Sequence, residues 1–560
     1  MPDWQEVALG AVRWLVHPAW RNVLFDSRGL RLAEWQAQGA VETVKAAPHR
    51  TICRVALGAG SVYLKHYPLP DLRAVVRQML RPAKARGEFD RALAVAARAV
   101  PTVEPLAVGE TTRGESFLVT RGLDDTQPLN EFLEQTLPAL PPAERTAVRF
   151  LLADTLADLL ARMHDAGVRH RDLHAGNLLV QWRRACRPRL YLIDLHAVRL
   201  GGPLTWAESC ANLVILNRWF SQRSSRADRR RFWQRYVRLR RGWHLSRADE
   251  RARARELEAK TRASSLRFWR RRDRRCLETN RYFYTLRGPT GRAWAVRDVP
   301  PDLLRRLLAD PDAPFAAPAA RVLKSSRSST VVEVELPLGD RPRTVICKRF
   351  FATKWSDPWL HLVRATPALR SWVNGHRLIE RGLPTARPLA VIHRRRCGLT
   401  RECYLITEQL PAAMELHRHV VCLAALDPPA RRAKLWPLVE QVARLVRELH
   451  ARQLAHRDLK AANLLVGPAG EGVALYLIDL VGLECWRRLP RSRRVQNLSR
   501  LHASFHDHPA ISRTDKLRFL RAYLAWGLTG KAGWKAWWRA VVRGTARKIA
   551  RNRARGRPLA

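Results

Sequence analysis

His170-Arg171-Asp172-Leu173-His174-Ala175-Gly176-Asn177 occurs twice in this chain; the second copy is His456-Arg457-Asp458-Leu459-Lys460-Ala461-Ala462-Asn463, 286 residues further on. Each copy continues through an apolar strand, a polar turn and a second apolar strand into an aspartate, Asp194 in the first case and Asp479 in the second. A loop carrying Asp, an Asn five residues later and a strand ending on Asp is the layout of a phosphoryl-transfer site. Two such layouts in one chain exclude coincidence as the explanation.

Outward from these loops, the surroundings repeat as well. Upstream of the first, residues 51–55 and 61–67 are β-rich runs separated by Gly58-Ala59-Gly60, a hairpin signal, and Lys65 sits near the end of the second run. A helical stretch with Glu88 follows, then a strand over 116–120. Leu152, Leu156, Leu159, Leu160 and Met163 then line one face of a helix that runs into the loop. In the second half, strands over 330–334 and 343–348 bring Lys348. Gly382-Leu383-Pro384-Thr385 matches Ala99-Val100-Pro101-Thr102, and Leu438, Val442, Leu445, Val446 and Leu449 form the helix face. His164 and His450 each stand six residues before their loop His, and Asn212 and Asn497 each open a helical, aromatic-rich tail. Equivalent residues are offset by 283 for the lysines, 286 for the loops and 285 for the strand aspartates, so a whole domain is duplicated.

The predicted organisation is a helical or irregular lead-in over 1–40, a first domain over 41–285 and a proline-marked linker over 286–318. A second domain over 319–530 and a basic Trp/Arg-rich tail over 531–560 complete it. The predicted fold class is α+β: two tandem bilobal domains, each with a small β-rich lobe and a larger helical lobe, hinged near Thr120-Arg121 and Thr407-Glu408.

At 560 residues the chain can bury large cores, and a 46% hydrophobic content marks it as globular. Its 101 Lys+Arg against 50 Asp+Glu, net +51, call for an anionic partner, unless a genome favouring Arg codons accounts for the surplus. Nine cysteines without a Cys-x-x-Cys pair suggest reduced thiols. The start lacks a basic region followed by an apolar one, and no run of 18 apolar residues exists. The expectation is a cytoplasmic protein, peripheral on the inner face of the inner membrane.

Phosphoryl transfer needs cations on the nucleotide phosphates, hard oxygen ligands for Mg²⁺ and a group to orient the acceptor hydroxyl. Lys65 is placed to hold ATP phosphates, with Glu88 as its partner from the following helix. Asp172 would accept the proton of the hydroxyl, and Asn177 and Asp194 would bind Mg²⁺. In the second half Lys348, Asp458, Asn463 and Asp479 take the same roles. The residue equivalent to Glu88 there is Ser371, so the lysine lacks its acidic partner.

These residues make the chain resemble tandem protein-kinase-like domains, and within that group the lipopolysaccharide kinase (Kdo/WaaP) family. The resemblance implies an ATP-dependent phosphotransferase acting on a sugar hydroxyl of the lipopolysaccharide inner core, Kdo or heptose, at the cytoplasmic face of the inner membrane. By the same resemblance Lys460 would contact the transferred phosphate, where the first copy has His174. Asp194 is followed by Leu195-His196 and Asp479 by Leu480-Val481 rather than Phe-Gly, and neither copy has an Ala-Pro-Glu or a G-x-G-x-x-G loop. Ala46-Ala47-Pro48-His49 and residues 325–329 stand in place of that loop. The alternatives are a protein Ser/Thr kinase, or a tandem kinase/pseudokinase whose second domain is regulatory or a scaffold.

Arg and Trp interleave over 222–275 and 534–557, which suits either an anionic membrane interface or a basic face with Trp packed on the lobe. Aromatic–basic surfaces also bind single-stranded nucleic acid, but no such module is recognisable here.

Overall fold

The computed structural model describes residues 4–47, 50–58, 60–69, 83–184, 186–339, 341–469, 472–525 and 531–556. The chain separates into two compact units, Met1–Ser265 and Leu266–Ala560.

In the first unit, alternation along Arg50–Leu57 and Gly60–Tyr67 puts Val55, Val62 and Leu64 on a buried face. These strands belong to an antiparallel seven-stranded sheet. Its order is Gln5–Leu9, Val12–Val16, Pro105–Thr111, Ser116–Arg121, Gly60–Tyr67, Arg50–Leu57 and Val41–Ala47. One face of the sheet packs on Trp14, Leu24, Phe25 and Trp35; the other takes Phe89 of helix Lys84–Ala97 against Tyr67, Val108 and Leu118. Below it, helix Pro142–Asp165 buries Leu152, Leu156, Leu159, Leu160 and Met163, the face read from the sequence, in a separate helical core. That core also holds the strands Leu178–Gln181 and Arg189–Leu192, which flank the turn between Asn177 and Asp194.

The second unit repeats this strand for strand. Its sheet runs Phe283–Gly288, Gly291–Val296, Pro388–Arg396, Leu399–Glu408, Arg341–Phe351, Ser329–Leu338 and Arg321–Ser326. Helix Pro367–Glu380 packs on the sheet through Ala368 and Trp372, and helix Pro428–Ala451 leads to the second loop. The repeated Pro-Thr turn has a shared use. Thr102 Oγ1 donates to Leu192 O at 2.7 Å and Thr385 Oγ1 to Leu477 O at 2.6 Å, tying each small lobe to the strand that ends on its Asp. The fold class is therefore the expected one: two tandem kinase-like α+β domains.

Three segments differ from the sequence reading. In the expected lead-in the helices Arg21–Leu24 and Leu32–Ala37 are present, but Gln5–Leu9 and Val12–Val16 form the outer hairpin of the first sheet, with Trp14 and Val16 buried on alternate positions. Residues 286–318 are no linker. Phe283–Gly288 and Gly291–Val296 make the matching hairpin, and helix Pro301–Ala309 buries Leu303, Leu304, Leu307 and Leu308. Within the basic Trp/Arg-rich stretch, helix Lys531–Arg553 buries Val541 and Ile549, with Trp537 and Trp538 packed on the second helical core.

The Arg/Trp-rich helices likewise turn their indoles inward. Trp233 is 6% exposed and Trp269 5%. Pro48, His49, Ala59 and Arg557, which fall in stretches singled out in the sequence, lie outside the described residues. Among the described residues no helix is long and apolar enough to cross a membrane.

Candidate active site

Each catalytic loop is hung from its buried histidine. His170 ends strand Val168–His170; its Nδ1 accepts the Asp172 N–H at 3.2 Å, so the proton sits on Nε2, which donates to Ile193 O at 3.2 Å. His456 does the same with Asp458 N–H (3.2 Å) and Asp479 O (2.9 Å). Burial lowers the pKa of both rings against the pull of these carbonyls and the nearby aspartates, so each is a neutral clip joining loop to strand. Asn177 adds a second clip: its Nδ2 donates to Asp172 O at 2.8 Å while its own carbonyl accepts Ile193 N–H at 3.0 Å. Asn463 repeats both contacts at 2.7 and 3.0 Å. With Nδ2 committed, the side-chain Oδ1 is the Asn atom left to meet a metal. Asp172 and Asp458 keep exposed carboxylates, with side chains 60% and 54% accessible, open to a molecule arriving from solvent. His174 Nε2 lies 3.7 Å from Asp172 Oδ2, and Lys460 Nζ lies 3.8 Å from Asp458 Oδ2.

The strand aspartates share an unusual backbone. Asp194 (φ 60°, ψ 53°) and Asp479 (φ 56°, ψ 57°) are both left-handed, which costs a non-glycine residue of order 1 kcal/mol. Strain that recurs at one position in both units is held there by the loop around it. Here it re-aims a carboxylate at the end of a strand.

Around these aspartates the units part. In the first, Lys65 Nζ meets Glu88 Oε1 at 2.5 Å, and Tyr67 OH donates to Glu88 Oε2 at 2.6 Å; Glu88 is 3% exposed. Burial and the Glu88 charge raise the Tyr67 pKa, keeping the hydroxyl a neutral donor. Asp194 Oδ1 accepts from Arg50 Nη1 at 3.0 Å and from His196 Nδ1 at 2.8 Å. Burial would raise its pKa, but the His196 bond and the Lys65 and Arg50 charges hold it well below the usual carboxylate range. The same bond raises the pKa of His196, against the effect of burial.

In the second unit Lys348 Nζ pairs with Asp479 Oδ1 itself, at 2.9 Å. Ser371 is buried on the helix, and its Oγ donates to Pro367 O. Strand register puts Phe350 where the first unit has Tyr67 and Ser329 where it has Arg50, and Val481 replaces His196. Asp479 is also held below the ordinary carboxylate range: burial opposes this, and Lys348 outweighs it.

Behind both loops runs a polar strut that the sequence marked only as aligned His and Asn. Tyr236 OH donates to His164 Nδ1 (2.7 Å), His164 Nε2 to Asn212 Oδ1 (3.1 Å), and Asn212 Nδ2 to the His170 carbonyl (2.5 Å). The second copy uses Tyr523, His450 and Asn497, with distances of 2.8 Å and 3.1 Å and then 3.0 Å to the His456 carbonyl.

Sequence reasoning missed Arg50, Tyr67, His196 and the two strut tyrosines. Tyr67 and His196 each stood two residues from a chosen residue, so a comparison of the copies position by position would have flagged them. Arg50 carried no local signal, because its role depends on sheet register.

Magnesium is held through one or two carboxylates plus phosphate and water oxygens rather than by an all-protein cage. Among the described residues no group of three His, Cys, Asp or Glu could hold a metal. A carboxylate (Asp194 or Asp479) and an amide oxygen (Asn177 or Asn463) are hard oxygen ligands of the kind that fit a magnesium arriving with a nucleotide.

Known proteins resemble both units. The model of the lipopolysaccharide kinase (Kdo/WaaP) family matches residues 61–236 and again 348–523, more than half of the chain. The 3-deoxy-D-manno-octulosonic acid kinase of Haemophilus influenzae (strain PittEE) is 32% identical over 145 residues, 25% of this chain and 56% of that protein. The lipopolysaccharide core heptose(I) kinase WaaP of Escherichia coli is 29% identical over 160 residues, 28% of this chain and 59% of that protein. The chain thus spans a little over half the length of these curated relatives. A solved structure titled "WaaP in complex with acyl carrier protein" aligns with 44% of this chain and 98% of that chain, at 22% identity and a TM-score of 0.33. The chain belongs to the lipopolysaccharide kinase (Kdo/WaaP) family, in two tandem copies, and the relatives that match it are named as kinases, enzymes that take their phosphoryl group from ATP.

Proposed function

We propose, from this family membership, that the chain transfers the γ-phosphoryl group of ATP to a sugar hydroxyl of the lipopolysaccharide inner core, Kdo or heptose, and that its first unit does the catalysis. The observation that carries the reading is the Lys65–Glu88 pair, closed at 2.5 Å and braced by Tyr67, beside an intact loop of Asp172, Asn177 and Asp194.

In this mechanism Lys65, oriented by Glu88, binds the α- and β-phosphates. Asp172 accepts the proton of the attacking sugar hydroxyl as its oxygen bonds the γ-phosphorus and the bond to the ADP oxygen breaks. Asn177 Oδ1 and the Asp194 carboxylate would hold Mg²⁺, which neutralises charge on the phosphates when bound. Because Asp194 stays ionised far below neutral pH, it is a ready ligand. Nucleotide binding requires Arg50 to exchange the Asp194 carboxylate for a phosphate oxygen, a move that suits a bidentate guanidinium. This gives the small lobe a phosphate cation where a glycine-rich loop is missing.

The acceptor is phosphate-rich and the chain carries +51, so attraction between them should weaken with salt. The setting that suits such an acceptor is the cytoplasmic face of the inner membrane, with the enzyme peripheral on an anionic surface. The test is radiolabelled ATP offered with purified lipopolysaccharide core oligosaccharide, lipid A and a protein mixture. Label on the core sugar is expected; label on protein alone would refute the sugar-kinase reading.

A further inference from the structure

In the Arg/Trp helices that the sequence offered as membrane contacts, Trp233 and Trp269 are buried and Trp537 and Trp538 half-buried, whereas the second unit exposes a different apolar patch. Between strand Arg341–Phe351 and helix Pro367–Glu380, Trp355 is 88% exposed, Trp359 58%, Leu362 64% and Val363 83%, with Leu360 at 41%. Scattered exposed apolar residues are ordinary; five large ones within nine positions are not.

This patch is built rather than loose. Asp357 Oδ2 accepts the Thr353 N–H (2.8 Å), the Thr353 hydroxyl (3.1 Å) and the Lys354 N–H (2.9 Å), which fixes the turn that presents Trp355. Helix Asp357–Val363 is then moored by His361, whose ring bonds the Thr400 carbonyl at 3.2 Å. Mooring through His361 leaves Trp359, Leu360, Leu362 and Val363 outward. The rim is cationic: Lys354 and Arg364 bracket the helix, and exposed Arg395 and Arg401 flank Thr400 at the adjacent hairpin, where Arg395 is the cross-strand partner of Thr400. The acidic groups near it are engaged, Asp357 by the turn and Glu402 by Arg349 at 2.5 Å.

We propose that Trp355–Val363 is a membrane-docking element of the second unit, seating its indoles and aliphatic side chains at the headgroup level of an anionic bilayer while the rim cations contact lipid phosphates. Trp favours that depth, and neighbouring Lys and Arg strengthen the attraction to acidic lipid. An indole-led tip beside Lys354, Arg364, Arg395 and Arg401 suits anionic lipid, which engages both apolar and cationic groups. The proposal is independent of the sugar-kinase reading, because its readout involves no acceptor sugar.

The experiment uses the full chain and sedimentation with vesicles of phosphatidylcholine, with or without phosphatidylglycerol. Wild type should bind the phosphatidylglycerol vesicles. The combined variant Trp355→Ser, Trp359→Ser, Leu362→Gln, Val363→Gln should lose about tenfold or more in partitioning with little change in Tm, since these side chains are mostly exposed. The pair Arg395→Ser, Arg401→Ser should lose the preference for phosphatidylglycerol. Three results would overturn the proposal: no vesicle binding by wild type, binding by the apolar variant within about twofold of wild type, or a wild-type dimer that the variant makes monomeric with vesicle binding unchanged.

Discussion

Glu88 is the residue at which the two copies differ most sharply in consequence. Replacing it with Gln removes the countercharge from Lys65, whose side chain is 12% exposed, and leaves Tyr67 without its charged acceptor. Stability should fall by about 1–3 kcal/mol, the cost of an unpaired buried polar group, and kcat/KM for ATP by about tenfold or more. Thermal melts and ATP titrations check the two effects separately; an unchanged KM for ATP would show that Lys65 does not need this partner. His164 and His450 set a second expectation. Burial pushes their pKa values down to about 3 and about 4, aided at His164 by the Arg240 charge. Because the folded values lie below the unfolded one, the folded state cannot take up the proton that the unfolded chain binds below about pH 6.5. Stability is therefore untouched above that pH and declines beneath it, by about 1.4 kcal/mol for each ring between pH 7.5 and 5.5. Melting curves at the two pH values should show this fall, and His450→Gln should make it shallower. A Tm that holds steady at pH 5.5 would mean that the struts open without cost.

Helix Lys531–Arg553 shows how packing decides what composition leaves open. Its Trp, Lys and Arg content fits an interfacial helix, yet Val541, Thr545 and Ile549 are buried against helix Arg491–Ala503. Contact is close enough to need Gly544: a Cβ there would overlap Ser499 Oγ, which is already fixed by its bond to Val541 O at 3.1 Å. Gly→Ala in a helix interior is ordinarily worth up to about 1 kcal/mol of stabilisation. At this crossing Gly544→Ala should instead destabilise by about 1–3 kcal/mol, because backbone and Ser499 must move apart. Urea denaturation of the full chain followed by Trp fluorescence tests the sign, and a stabilised variant would show that the crossing is loose. The same helix explains where sequence reading stopped. Periodicity identified Leu152 to Met163 because each residue there meets the core through its own helix. The sides chosen by Trp233, Trp537 and Val541 depend on partners far along the chain, which no local period records. The loop geometry was legible for the complementary reason: Asp172, Asn177 and Asp194 are brought together by short, fixed spacing, whereas Arg50 reaches Asp194 across 144 residues.

Duplication of a whole domain ordinarily yields two equal sites, and the chain preserves both loops, both left-handed aspartates and both His–Asn–Tyr struts. What it did not preserve is the set of charged and polar groups around the paired lysine and strand aspartate. Arg50, Tyr67, Glu88 and His196 in the first unit correspond to Ser329, Phe350, Ser371 and Val481 in the second, so two cationic groups and one carboxylate are missing there. Lys348, deprived of a helix partner, takes Asp479 instead. In the first unit Asp194 is likewise held, by Arg50 and His196, but Lys65 keeps a partner of its own; in the second, a metal seeking Asp479 and a nucleotide seeking Lys348 each compete with the pairing of these two residues. Neither competition is offset by a replacement partner, since Ser371 is neutral and committed to its own helix backbone. On the function proposed above, the second unit would keep its scaffold while its phosphate chemistry is weakened. Asp172→Ala should then lower phosphotransfer by about 100-fold or more, the usual cost of a lost catalytic base. Asp458→Ala should leave at least about a third of the activity, less than a 1 kcal/mol effect on the barrier. The assay is initial rate of label transfer at saturating ATP, with Mg-ATP binding to Asp194→Ala and Asp479→Ala measured alongside. Equal losses from Asp172→Ala and Asp458→Ala would make the second unit a full catalytic partner and overturn the asymmetry argued from these four positions.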